Sequence, residues 1–190
     1  MKYQIDPSKT TLTLTGKTAV FIDWANVYGW TNTLKTEINP RSLFQYLKKY
    51  SEIKTLNFYF GTDQHPKAKT FLSRIRKIGF TLITKPVKYI TVNQKPLIKK
   101  RKCDFDIEIT MDVFDCLENN YQSYVFISGD GDFAPLYQRL IKLNKQVIVI
   151  YAPKHIGREV WDIKKGLFKV KIYHLLPLKK SSPRRSGGRD

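Results

Sequence analysis

The 190-residue chain has little with which to build a covalent or metal-clipped framework. It carries two cysteines, Cys103 and Cys116, and three scattered histidines, His65, His155 and His174. Neither thiol stands in a CxxC pair, so a secreted disulfide scaffold and a zinc site of Cys/His type are both disfavoured. Acid is scarce too: 16 Asp and Glu face 34 Lys and Arg, a formal charge of +18. No apolar run approaches the roughly 18–20 residues of a membrane span. The opening MKYQIDPSKTTLTLTGK lacks the apolar centre of a signal peptide. The expectation is a soluble, reduced, cytoplasmic protein. What the chain has in quantity is core material, 42% hydrophobic and 13% aromatic, enough for one domain of this size. The cationic excess says nothing of fold. It favours a polyanionic partner, nucleic acid first and an anionic membrane surface second.

Strand and helix signals alternate between two polar ends. Residues 1–17 are read as an N-terminal extension, a short edge strand or nothing. Residues 177–190, rich in Ser, Gly, Pro and Arg, are read as a disordered basic tail. Strands are expected over 18–23, 53–60, 80–84, 124–128, 146–150 and 169–173. Helices are expected from Asn39-Pro40, an N-cap followed by Pro, and over 65–78 with Gly79 as C-cap, 104–119 and 133–143. Apolar strands alternating with helices mean βαβ crossovers and a mainly parallel sheet flanked by helices, an α/β three-layer sandwich. Such sheets bind ligands outside the carboxyl ends of their strands. Residues 85–102, KPVKYITVNQKPLIKKRK, hold seven basic residues and no acid. They read as a hairpin or long loop, either merely solvated or a phosphate-binding arm in which Lys99, Lys100, Arg101 and Lys102 meet the backbone and Tyr89 stacks on a base.

The few acids are unevenly placed, eight of the sixteen within residues 104–132. On a helical wheel Asp104, Glu108, Asp115 and Glu118 share a solvated side, opposite Phe105, Ile109, Val113, Cys116 and Leu117. Asp112 sits at the edge. Asp106 lies among the apolar positions, where a carboxylate needs a cation, a metal or an N-terminal hydrogen bond, unless it is itself the N-cap. Asp23 ends the first strand. Asp130 and Asp132, in SGDGD, follow the YVFIS strand directly; a turn residue and a helix N-cap are the plainer readings of the pair. In a parallel sheet all of these fall on one rim. Two like charges about 4 Å apart repel by roughly 4 kcal/mol at an effective dielectric of about 20. Several together call for bound cations, and oxygen-only ligands select Mg²⁺ or Mn²⁺.

FIDWANV (Phe21–Val27), KCDFDIEITMD (Lys102–Asp112), ISGDGDFAPL (Ile127–Leu136) and NKQVIVIYAP (Asn144–Pro153) together resemble the successive motifs of NYN domains, the LabA-like branch of the PIN-like nucleases. The resemblance spans about residues 18–175 and implies a PIN-like (Rossmannoid) fold over 18–176, with metal-dependent ribonuclease activity on RNA. By motif it makes Asp23, Asp106, Asp130 and Asp132 the catalytic, metal-holding acids for one or two Mg²⁺ or Mn²⁺ ions, and Asn26 an orienting or substrate-contacting amide. Asp112 matches a second helix acid, and Asp63 stands where some relatives carry one, though it also reads as a loop turn. The chain departs from the pattern at Trp24, where a small residue is usual and an aromatic would stack a base or narrow the pocket, and at Asn144 or Lys145 in place of a Gly. Neither the basic insert nor the tail matches a family hallmark.

Water as the attacking group would leave 5′-phosphate and 3′-hydroxyl ends. With no histidine in the motifs, a His-pair ribonuclease is disfavoured. Ser128 has no GxSxG context and no His partner, so it reads as a hydrogen-bonding residue at a strand end, near enough to the acids to touch substrate. Two other readings stay open: a non-catalytic RNA-binding module on the same fold, and a phosphatase for small phosphoesters. Nothing in the sequence sets the oligomeric state, and a homo-oligomer stays open.

Overall fold

Apolar runs bounded by turn residues become strands. The structure is a computed structural model that describes residues 11–63, 65–94 and 97–176. Its strands in chain order are β1 (Thr18–Asp23), β2 (Ile53–Thr62), β3 (Thr81–Pro86), β4 (Lys88–Gln94), β5 (Leu97–Lys102), β6 (Ser123–Ile127), β7 (Gln146–Tyr151) and β8 (Leu167–Lys171). Six of them form one sheet in the order β3-β2-β1-β6-β7-β8, every neighbouring pair parallel. The helices are α1 (Trp24–Gly29), α2 (Thr31–Leu34), α3 (Pro40–Leu47), α4 (Pro66–Ile78), α5 (Asp106–Glu118), α6 (Ala134–Lys142) and α7 (Arg158–Trp161).

Central strands are buried on both faces, which is why they lack polar alternation. Along β1, Val20 and Ile22 join a core with Trp24, Val27, Leu43, Leu47 and Ile75, from α1, α3 and α4. Ala19 and Phe21 join a second core with Ile109, Val113, Tyr137, Leu140 and Val160, from α5, α6 and α7. Three layers result, as expected. The local signals behave as read: Asn39 Oδ1 accepts from Arg41 N at 2.9 Å ahead of Pro40, and Gly79 closes α4 at φ 111°.

Three readings shift. The last strand begins at Leu167, two residues before the expected 169. Residues 11–17 form no strand, yet they are not idle: Leu12 is buried, and Thr15 N donates to Ser123 Oγ at 3.0 Å across the start of β6. The short helices α1, α2 and α7 were not foreseen. The basic insert is the hairpin alternative, β4 and β5 pairing antiparallel with each other and with no strand of the main sheet. The tail at 177–190 lies outside the described residues.

The chain runs outward from β1 through β2 to β3. Helix α5 then returns it to β6 on the other side of β1. This reversal opens a crevice between the carboxyl ends of β1 and β6, the place where α/β sheets of this kind hold ligands. Register pairs Ile22 with Ile127, so Asp23 and Ser128 leave the sheet side by side.

Candidate functional site

Asp23 is the last residue of β1 and the N-cap of α1, its Oδ1 accepting from Asn26 N at 3.2 Å. Burial pushes its carboxyl up to about 6, with repulsion from Asp130 and Asp106 adding, against the opposing hydrogen bonds from Asn26 and Ala25. Asp106 opens α5. The N-cap is Phe105, which offers no side-chain bond, so Asp106 is not the cap that one reading made it. Burial raises its pKa as well, followed by Asp130, Asp104 and Asp132, with Lys85 pulling the other way. Acids from three separate segments therefore lie near one another: Asp130 and Asp106 disfavour the charge of Asp23, and Asp130 that of Asp106.

The loop after β6 is shaped by its own side chains. Ser128 Oγ accepts from Asp130 N at 3.2 Å, and Asp130 Oδ1 accepts from Asp132 N at 3.1 Å, making Asp130 the cap of the turn Gly131–Phe133. Capping thus falls to Asp130 and not to Asp132, which is exposed. Ser128 is buried, and its hydroxyl sets the turn that leads to Asp130. Asn26 Oδ1 accepts from both Gly129 N and Trp30 Nε1 at 3.0 Å, pinning α1 to this loop.

Trp24 is buried against Phe58 and Phe71, ring centroids 4.9 and 5.8 Å away. Its place is in the core, forming a cavity wall, and not out in solvent as a free stacking platform. Asp112 does not join the rim. It lies further along α5, where its Oδ2 accepts from Tyr59 Oη at 2.5 Å and Asn57 Nδ2 at 3.3 Å. Asp63 accepts from Tyr89 Oη at 2.7 Å and so ties the hairpin to the end of β2. Lys102 is exposed and 3.4 Å from Asp104; the side chains of Lys99, Lys100 and Arg101 lie outside the described residues.

Four neighbours of the rim escaped the sequence. Lys85, at the end of β3, holds both carboxylate oxygens of Glu108 at 2.7 Å and lies over the Phe105 ring at 4.8 Å. Glu108, expected on a solvated face, is instead half-buried, and Lys85 lowers its pKa despite burial. Glu159 on α7 lies against Gly131, so that a Cβ there would meet its Oε2. The segment 155–157 presses on the same loop: Gly157 N donates to Gly129 O at 2.7 Å, and a Cβ on Gly129 would run into the His155 carbonyl. His155 is anchored in turn by its Nε2 contact of 2.7 Å with Thr33 Oγ1. Tyr137 on α6 is fully buried, and its hydroxyl has no hydrogen-bond partner among the described residues. Burial raises its pKa, and Asp130, Asp23 and Asp106 raise it further. Only the YxxL spacing of a core helix marks Tyr137 in the sequence. The other contacts depend on glycines allowing backbones to meet.

Among the described residues, no three His, Cys, Asp or Glu side chains already stand at the spacing of a metal cage. The donor chemistry nonetheless fits a hard cation. The rim offers carboxylates, two of them, Asp23 and Asp106, held at raised pKa by burial and then by neighbouring acids, and a divalent ion would relieve that repulsion.

A parallel α/β sheet with acids gathered at its switch point defines the class. The family model described as the NYN domain matches residues 17–165, and the chain belongs to that family. It is similar to the low amplitude and bright protein LabA of Synechococcus elongatus, 27% identical over 144 residues, which cover 75% of this chain and 77% of that protein. The crystal structure of a protein of unknown function from Vibrio parahaemolyticus shares the fold. Its TM-score is 0.66 at 24% identity, over 88% of this chain and all of that one. No helix among the described residues is long and apolar enough to cross a membrane.

Proposed function

We propose that the protein is a ribonuclease that hydrolyses phosphodiester bonds of single-stranded or structured RNA, leaving 5′-phosphate and 3′-hydroxyl ends. The observation that supports this is the placement of Asp23 at the end of β1, Asp106 at the start of α5 and Asp130 in the loop after β6, with Asp130 and Asp106 near enough to Asp23 to raise its pKa. A protein that only binds polyanions gains nothing from buried acids facing its ligand. Asp23, Asp106 and Asp130, with Asp132 directly or through water, would hold one or two Mg²⁺ or Mn²⁺ ions. Such an ion supplies charge neutralisation at phosphate and a more acidic water when bound.

The chain's own residues do the rest. Asn26 and Ser128 fix the loop so that Asp130 projects into the crevice. Lys85 sets a fixed positive charge beside Asp106. Lys99, Lys100, Arg101 and Lys102 of the hairpin, and the basic tail, take up phosphates outside the acidic rim. Their attraction offsets the repulsion between that rim and an anionic strand.

The test compares wild type with Asp130→Asn on a labelled single-stranded RNA in Mn²⁺. Cleavage by wild type alone is expected; equal cleavage by both contradicts the assignment. Binding without cleavage by either protein would establish the RNA-binding module instead, and turnover of a chromogenic phosphomonoester would point to the phosphatase. Binding should also weaken steeply with salt, and removing residues 177–190 should flatten that slope while cleavage persists.

A further inference from the structure

A cavity of about 700 Å³ opens beside the rim, its wall starting at Trp24 and Ala25, the residues directly after Asp23. We infer that this cavity is the pocket for one unpaired nucleotide of the RNA strand, adjoining the phosphate at the acids. The inference rests on the RNA reading above and adds to it a specific place for base and phosphate.

The cavity has three kinds of wall. Trp24, Phe60 and Phe71 form an aromatic side. Phe71 stacks on Trp24, and Phe60 lies 5.0 Å from Phe71. The second wall is one face of α4: Lys67, Phe71 and Arg74 fall at helical spacing, and Ala68 between them leaves the room. The Arg74 guanidinium lies 5.7 Å from the Phe71 ring centroid, at the lip of the apolar part. Glu37 and Asp63 add carboxylates to the lining, Asp63 already accepting from Tyr89 Oη.

A lipid tail or apolar peptide in this space would strip water from Glu37, Asp63, Lys67 and Arg74 without replacing their hydrogen bonds. A base has apolar faces for the rings and amino groups on its edge for the carboxylates. Its phosphate suits Lys67 and Arg74. The volume falls within the roughly 300–1,000 Å³ common for small-ligand pockets. Asp63 is also where Tyr89 anchors the basic hairpin. The strand-gathering arm therefore starts at the edge of the pocket, and Tyr28, exposed, lines its mouth on α1.

The experiment titrates the full chain in chelator, where cleavage is off. One arm uses each of the four ribonucleoside monophosphates, by calorimetry; the other uses a short labelled single-stranded RNA, by anisotropy. The variants are Ala68→Phe, which fills the space, and Arg74→Ala, an exposed side chain whose loss does not threaten folding. Thermal unfolding verifies both. Stacking of one base is worth on the order of tenfold in affinity or more. Each variant is therefore expected to weaken RNA binding about tenfold, and Ala68→Phe to abolish any monophosphate binding. Weakened RNA binding with no monophosphate binding in wild type still supports the pocket, as a subsite that needs the strand. Unchanged RNA binding in both variants, or monophosphate binding that Ala68→Phe leaves intact, overturns it. Cleavage in Mn²⁺ by wild type and Asp130→Asn is scored separately, so the nuclease reading can fail while the pocket stands, and the reverse.

Discussion

The two ends of the central sheet are built from similar polar material and treat it in opposite ways. At the amino end, Ser123 Oγ accepts from Thr15 N at 3.0 Å and donates to Gln146 Oε1 at 2.5 Å, while Gln146 Nε2 donates to Thr13 O at 2.9 Å. Lys17 Nζ donates to Asn119 O at 2.9 Å and lies over the Tyr121 ring at 4.2 Å. Donors and acceptors close on one another. At the carboxyl end, Asp23 and Asp106 are half-buried near further acids, and the Tyr137 hydroxyl has no partner among the described residues. One end satisfies its polar groups internally; the other keeps like charges close together. Helix α5 shows the same contrast within itself: Asp112 is bonded by Tyr59 and Asn57, whereas Asp106 is repelled. Unsatisfied charge in a crevice marks a working site better than acidity alone.

That contrast can be broken experimentally. The largest effect belongs to Asp130→Asn. Loss of several kcal/mol of charge stabilisation corresponds to a fall of about 10³-fold or more in cleavage rate, measured at saturating RNA, whereas Asp112→Asn should cleave as wild type. Next comes Gly129→Ala, whose methyl has nowhere to go beside the His155 carbonyl. It should cost about 3 kcal/mol or more in chemical denaturation. At the closed end, Ser123→Ala removes one of two partners from Thr15 N and one from Gln146 Oε1 and should cost about 1 kcal/mol while cleavage is retained.

pH sharpens the comparison further. Asp23 has a folded-state pKa of about 6 against an ordinary 3.8, so the folded protein binds this proton more tightly than the unfolded chain does. Its contribution to stability is full below 3.8 and is lost as pH rises through about 6. In chelator, wild type should therefore lose stability relative to Asp23→Asn across that window, as read by unfolding temperature. Added Mn²⁺ should restore the wild type above it. The smallest effect is at Tyr137→Phe: removing an unpaired buried hydroxyl should leave stability unchanged or raise it by about 1 kcal/mol.

Much of this was visible in the residues because it is local. Apolar runs mark β1, β2, β6 and β7, Asn39-Pro40 and Gly79 punctuate the helices, and acids at strand ends announce a rim once the sheet is parallel. What stayed hidden depends on packing between distant segments. Trp24 reads as stacking a base or narrowing the pocket, and its place as a core-packed cavity wall shows only once Phe58 and Phe71 are seen against it. Asp112 looks like a site acid until Tyr59 claims it. Glu159 reaches Gly131, and Lys85 reaches Glu108, only because α7 and β3 end at the same edge. Ser128 is the middle case: its turn chemistry is readable from SGDGD, but its burial is not.

The most direct test is a crystal of this protein soaked in Mn²⁺ and measured at the manganese absorption edge. The expected result is an anomalous peak in the crevice, with Asp23, Asp106 and Asp130 drawn in around it. Carboxylates left apart at saturating Mn²⁺, with no peak between them or a peak only beside Asp112, would contradict the proposal that this rim holds a catalytic ion.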